Sequence, residues 1–130
     1  MKRMSLLCLL MVAAPAVHAA TSIVNVGGMQ TVFTPAAITI NVGDRVTFIN
    51  KGGLHNVVAD DNSFRCARGC DGSGGNGTAS SSTWVVSLTF NTPGTIGYYC
   101  EIHGAPGQGM FGTIKVNAPT PVRLQWFEVD

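Results

Sequence analysis

The sequence predicts an all-β domain, a sandwich or barrel of short strands. β-Branched and aromatic residues dominate a series of short runs, and glycine, proline, asparagine and aspartate separate them. No stretch carries a convincing helical period, and short strands at this spacing mark sandwiches and barrels.

In chain order, residues 1–19 stand apart. Lys2 and Arg3 precede an apolar run from Leu6 to Ala14, with small residues around Val17 and Ala19. That order predicts a secretory signal peptide cleaved after Ala19. The apolar run falls short of the roughly 20 residues a membrane-spanning helix needs. Cys8 lies too early to serve as a lipoprotein anchor. Residues 20–130 are therefore expected to form one soluble exported domain with no membrane anchor. Loss of Lys2 and Arg3 takes the basic residues from eight to six against seven acidic ones, a net charge of −1. With no basic stripe and no charge run, nucleic acid is not an expected partner.

The strand series opens with "TSIVNVGG" and continues in "TVFTPAAITINVGDRVTFIN", where "VGD" is a tight turn between two alternating runs. Val46, Phe48 and Asn50 share one face of the second run, Thr47 and Ile49 the other. "HNVVADD", "STWVVSLTFNTPG", "TIGYYC" and "MFGTIKVN" follow, and Phe48, Trp84, Phe90 and Tyr98 read as core or sheet-face residues. Residues 60–82 break the pattern: they are rich in Gly and Ser and poor in apolar side chains, and read as a long excursion containing Cys66 and Cys70. Residues 118–130 form a C-terminal extension in which Val122, Leu124 and Trp126 alternate with Arg123 and Gln125, the pattern of an extra edge strand.

Beyond the signal peptide the chain has two histidines, His55 and His103, and three cysteines, Cys66, Cys70 and Cys100. Three thiols in an oxidising compartment suggest one disulfide and one cysteine with another task. Cys66 and Cys70, close together in a Gly-rich loop, are the expected disulfide. Two other uses of the pair compete: a thiol site for Cu(I), and a zinc site completed by Cys100 and His103. The zinc site would leave His55 and Met110 without a role.

Taken singly, Cys100 reads as a small buried hydrophobe and each histidine as a surface or hydrogen-bonded residue. In "YYCEIHGAPGQGM" the combination says more, because thiolate, imidazole and thioether are donors that suit copper. Cys100 is placed at a strand end, His103 beyond the turn, and "GAPGQG" folds back to deliver Met110 to the next strand. His55, in the turn "NKGGLHN", supplies the second imidazole from a distant part of the chain. Two imidazoles and a thiolate in a plane, with a distant methionine sulfur on the axis, describe a blue-copper site.

"GGLHNVVADD", "TPGTIGYYCEIH" and "GMFGTIKV" resemble the first-histidine loop and the last two strands of the plastocyanin-like cupredoxins, and the similarity covers roughly residues 21–117. The resemblance implies a Greek-key β-sandwich with one type 1 copper held by His55, Cys100, His103 and Met110. It also makes Asn56 the asparagine that ties the two ligand loops together. The interval here is H-x6-M, against the H-x4-M expected of plastocyanin, and Gln108 competes with Met110 for the axial position.

The implied function is that of an electron carrier, not an enzyme: a monomer in the periplasm, or fully secreted, carrying single electrons between transient partners such as a c-type cytochrome, an oxidase or a reductase. Copper enzymes built from similar domains need further histidines for a second copper, and this chain has none to spare. The alternative is a copper-handling protein that delivers or sequesters the metal without carrying electrons.

Overall fold

The computed structural model describes Ala13 and residues 18–120. Most of the expected signal peptide, and the strand expected around Val122, Leu124 and Trp126, lie outside the described residues.

The described chain is all strand and turn, in two sheets. In chain order the strands are β1 (Thr21–Gly27), β2 (Phe33–Thr34), β3 (Ala37–Asn41), β4 (Arg45–Gly52) and β5 (Val57–Ala59). They continue as β6 (Arg65–Ala67), β7 (Gly69–Cys70), β8 (Val85–Thr89), β9 (Gly94–Ala105) and β10 (Gln108–Asn117). One sheet has the order β2-β1-β4-β8, the other β3-β10-β9-β5-β6-β7. β1 runs parallel to β4 and β3 parallel to β10, while the other neighbours are antiparallel. The sandwich predicted from the strand pattern is the fold observed.

Alternation explains the two layers. On β4, Val46, Phe48 and Asn50 are buried while Thr47 and Ile49 are only half-buried, as the period of two requires. Val24, Val26, Phe33, Val57, Tyr98 and Ile114 join them in the core. Full burial of each such apolar side chain contributes about 1.5–3 kcal/mol. Tyr98 sits edge-on between Phe33 and Phe48, with ring centroids 4.8 and 5.2 Å away. Phe48, Trp84, Phe90 and Tyr98 are all buried, in keeping with their strand positions.

The "VGD" turn is tight, with Gly43 at φ 91°, yet the strands on either side of it belong to different sheets. Asp44 holds the corner: its carboxylate accepts the backbone N–H of Asn41 and of Ala20, each at 2.9 Å. The start of β1 is thereby tied to the β3–β4 turn.

Residues 60–82 are more ordered than their composition suggests. β6 and β7 extend the second sheet from β5, and further bridges pair Arg68 with Asn76 and His55 with Ser80. The Cys66–Cys70 disulfide closes the β6–β7 hairpin, and Cys66 and Ala67 are fully buried. With both sulfurs in that bond, neither the zinc site nor the Cu(I) thiol pair has its ligands.

Candidate metal centre

The end of β4 delivers His55. The segment turns at Gly52 and Gly53, and Gly53 has φ 92°, in the left-handed region that favours glycine. The turn is organised by Asn50, a buried amide on an otherwise apolar strand face. Its Nδ2 donates to the carbonyls of Gly53, Ser80 and Ser82 at 3.1, 3.2 and 2.8 Å, and its Oδ1 accepts the Gly52 N–H at 3.2 Å. The His55 backbone is held twice more, by reciprocal hydrogen bonds with Ser80 at 3.3 and 3.0 Å and by the Trp84 indole N–H, which donates to its carbonyl at 3.2 Å. Asn50 was legible only as a strand residue, and its signal was that a polar side chain shares a face with Val46 and Phe48.

Gly27 was not singled out at all. An added Cβ there would lie 2.3 Å from both His55 Nε2 and the Gly52 carbonyl, and φ is 64°. The imidazole therefore packs directly on the Gly27 backbone.

Cys100 lies within β9 rather than at its end, because the strand continues through His103 to Ala105 before a turn at Pro106 and Gly107. The ligand loop is thus the tip of a β-hairpin, with Ala105 opposite Gln108 and Gly104 opposite Gly109. A register shift between Gly109 and Phe111 falls at Met110 and accommodates the long H-x6-M interval. Met110 is 1% exposed, whereas Gln108 is exposed.

These elements bring His55, Cys100 and His103 together. Cys100 Sγ is 3.7 Å from His55 Nδ1 and 3.8 Å from His103 Nδ1, and all three donor atoms lie within 4.8 Å of one another. Among the described residues it is the one group of His, Cys and acidic side chains so arranged. The spacing fits donors sharing one small ion: bonds of about 2.3 Å to sulfur and 2.0 Å to nitrogen, opened to a trigonal angle, separate the two atoms by roughly 3.7 Å. Cys100 and His55 are buried, and His103 is exposed. Burial, followed by the neighbouring His103, lowers the pKa of His55 from its ordinary 6.5, while the Gly52 carbonyl raises it. The neutral imidazole that a metal requires is thereby favoured.

Asn56 follows His55 and is fully buried; its Oδ1 accepts the Glu101 N–H at 3.1 Å, the tie between the ligand segments that the resemblance implied. The Glu101 side chain is partnered as well. It takes a two-point ion pair from Arg65, at 3.0 Å from Nε and 2.6 Å from Nη2.

A family model described as copper binding proteins, plastocyanin/azurin family, matches residues 20–117. The chain belongs to that family. Among its relatives, the plastocyanin of Scenedesmus fuscus is 36% identical over 86 residues, covering 65% of this chain and 86% of that protein. The plastocyanin of Prochlorothrix hollandica is 37% identical over 111 residues, covering 83% and 81%. Among solved structures, oxidised plastocyanin from Dryopteris crassirhizoma superposes with a TM-score of 0.54 at 27% identity, covering 74% of this chain and all of the other. Amicyanin from Paracoccus versutus gives a TM-score of 0.50 at 27% identity, covering 78% and 85%. Copper is thus the cofactor of this plastocyanin-like cupredoxin, one ion per chain, in keeping with the one cluster of cysteine sulfur and imidazoles among the described residues.

Proposed function

We propose that this cupredoxin is an exported single-electron carrier, with residues 1–19 removed and residues 20–130 forming the working domain. Copper would be held by His55, Cys100 and His103, with the Met110 thioether as a weaker fourth donor. The observation that carries the reading is the convergence of one cysteine sulfur and two imidazoles at a site with one buried and one exposed histidine. The burial of Met110 beside an exposed Gln108 supports the thioether as the axial group.

Bound copper supplies a centre that takes up and returns one electron; the protein's own residues determine where that electron passes. His103 is the exposed ligand, and its surroundings are small and uncharged: Gly104, Ala105 and Pro106 on its own hairpin. Leu54, 44% exposed beside the other histidine, extends the apolar rim. A partner approaches such a rim without stripping water from charges, so contact is brief and reversible. Partners of this kind are a c-type cytochrome, an oxidase or a reductase in the periplasm. The disulfide leaves no free thiol pair for passing on Cu(I), which favours electron carriage over copper handling. Both histidines of residues 20–130 stand at one centre, which favours a carrier over a two-centre copper enzyme.

The test is electron exchange between the copper-loaded protein and a soluble c-type cytochrome. Ala105→Glu or Leu54→Asp should slow it while copper content and visible spectrum stay unchanged. Unaltered exchange in both variants would place electron entry elsewhere.

A further inference from the structure

Hydrogen bonds run in a closed ring from Glu101 back to Glu101 through the excursion. The Glu101 N–H donates to Asn56 Oδ1 at 3.1 Å, and Asn56 Nδ2 donates to the Gly77 carbonyl at 2.9 Å. The Gly77 N–H donates to Asp71 Oδ1 at 2.7 Å, and Asp71 Oδ2 accepts from Arg65 Nη1 at 2.9 Å. Arg65 then closes the ring on the Glu101 carboxylate through Nε and Nη2, at 3.0 and 2.6 Å.

The ring passes through the residues that immediately follow two of the ligands: Asn56 after His55, and Glu101 after Cys100. Beyond the ring, Ser80 pairs with the backbone of His55 itself. The Cys66–Cys70 bond lies between Arg65 and Asp71 in the chain, so it shortens the path between these two members of the ring. Gly77 threads closely past Arg65: an added Cβ would lie 2.2 Å from the Arg65 carbonyl.

We propose that the excursion is a clamp, and that Arg65 and Asp71 are positioning residues that fix the separation of the His55 and Cys100 segments without touching the metal. The proposal rests on the ligand set given under Proposed function. Its physical basis is that outer partners of metal ligands set ligand orientation and so tune the site. Arg65 suits the task because its planar fork reaches two carboxylates at fixed angles, which a lysine cannot do. An ion pair exposed to this degree adds little to global stability, so a purely structural role would leave the copper signature unmoved.

The experiment compares Arg65→Gln, Arg65→Lys and Asp71→Asn with the unaltered protein, all loaded with Cu(II). It records the visible band, the electron paramagnetic resonance spectrum, the rate of copper loss to a chelator and the melting temperature of the copper-free form. The clamp account expects altered copper spectra in Arg65→Gln and Asp71→Asn, and copper loss faster by about tenfold, the lower end of what outer-shell changes cost. Melting temperatures should be nearly unchanged. Arg65→Lys keeps the charge but not the fork, so it should show the same spectral change to a lesser degree; it carries the test if the other two do not fold. Unchanged spectra and copper loss in the folded variants overturn the clamp. If the unaltered protein itself lacks the intense band, the ligand reading has failed instead, and the clamp falls with it.

Discussion

A methyl group on Gly27 would lie 2.3 Å from His55 Nε2, closer than real Cβ contacts come, on a backbone at φ 64°. Gly27→Ala should therefore push the imidazole off its seat and weaken copper binding by about tenfold or more. Copper titration of the variant, with circular dichroism to confirm the fold, checks this. Met110→Gln should retain copper but lower the reduction potential, because an oxygen donor favours Cu(II) over Cu(I), while Gln108→Ala should change neither. The reverse pattern in voltammetry would give the axial position to Gln108. Asp44 concerns stability rather than copper: backbone N–H groups of Asn41 and Ala20 hold its pKa below the ordinary carboxylate value. A folded pKa below the unfolded one stabilises fully above the unfolded pKa, about 3.9, and that contribution is lost as pH falls through the folded value. Urea unfolding of the copper-free protein should show Asp44→Asn less stable at neutral pH, with the difference vanishing in acid. At this scale the sequence displays chemistry better than support. Cys100, His103 and Met110 declare themselves by donor type and proximity, whereas Asn50 and Gly27 act through partners far along the chain, Ser80 and His55.

Among the elements, β4 was legible because burial on one face imposes a period of two, and Val46, Phe48 and Asn50 keep it. The excursion was not, because what orders it is a set of side-chain bonds, from Asp71 within it and from Asn56 and Glu101 outside it, which leaves no periodic trace among its glycines and serines. Its hairpin also depends on the Cys66–Cys70 bond. Thiol counting on denatured, unreduced, copper-free mature protein should find one reactive group, Cys100; three would refute the bond. So short a closed loop removes little chain entropy, and replacing both cysteines by alanine should cost no more than about 2 kcal/mol, the low end for disulfides. The ligand hairpin shows a similar gap between sequence and structure. "GAPGQG" reads as a loop, yet strand pairing persists on both sides of Pro106 and Gly107, since an antiparallel ladder continues wherever the backbone allows it.

For the whole molecule, the segments that carry His55 and Cys100 come from remote parts of the chain, and the sandwich makes them neighbours. Copper can therefore be held between the turn after β4 and the β9–β10 hairpin, with His103 the ligand open to a partner. The net charge of −1 expected for the mature chain offers weak long-range steering. Electron exchange should accordingly vary little with ionic strength, and a steep fall in stopped-flow rates with salt would point to a charged docking face. The central claim is that His55, Cys100, His103 and Met110 hold one copper. Its most direct test is the visible spectrum of the mature protein after one equivalent of Cu(II). An intense thiolate-to-copper band that saturates at one ion per chain, and vanishes in a folded Cys100→Ser variant, is the expected result; a colourless complex, or a band that survives that substitution, would contradict it.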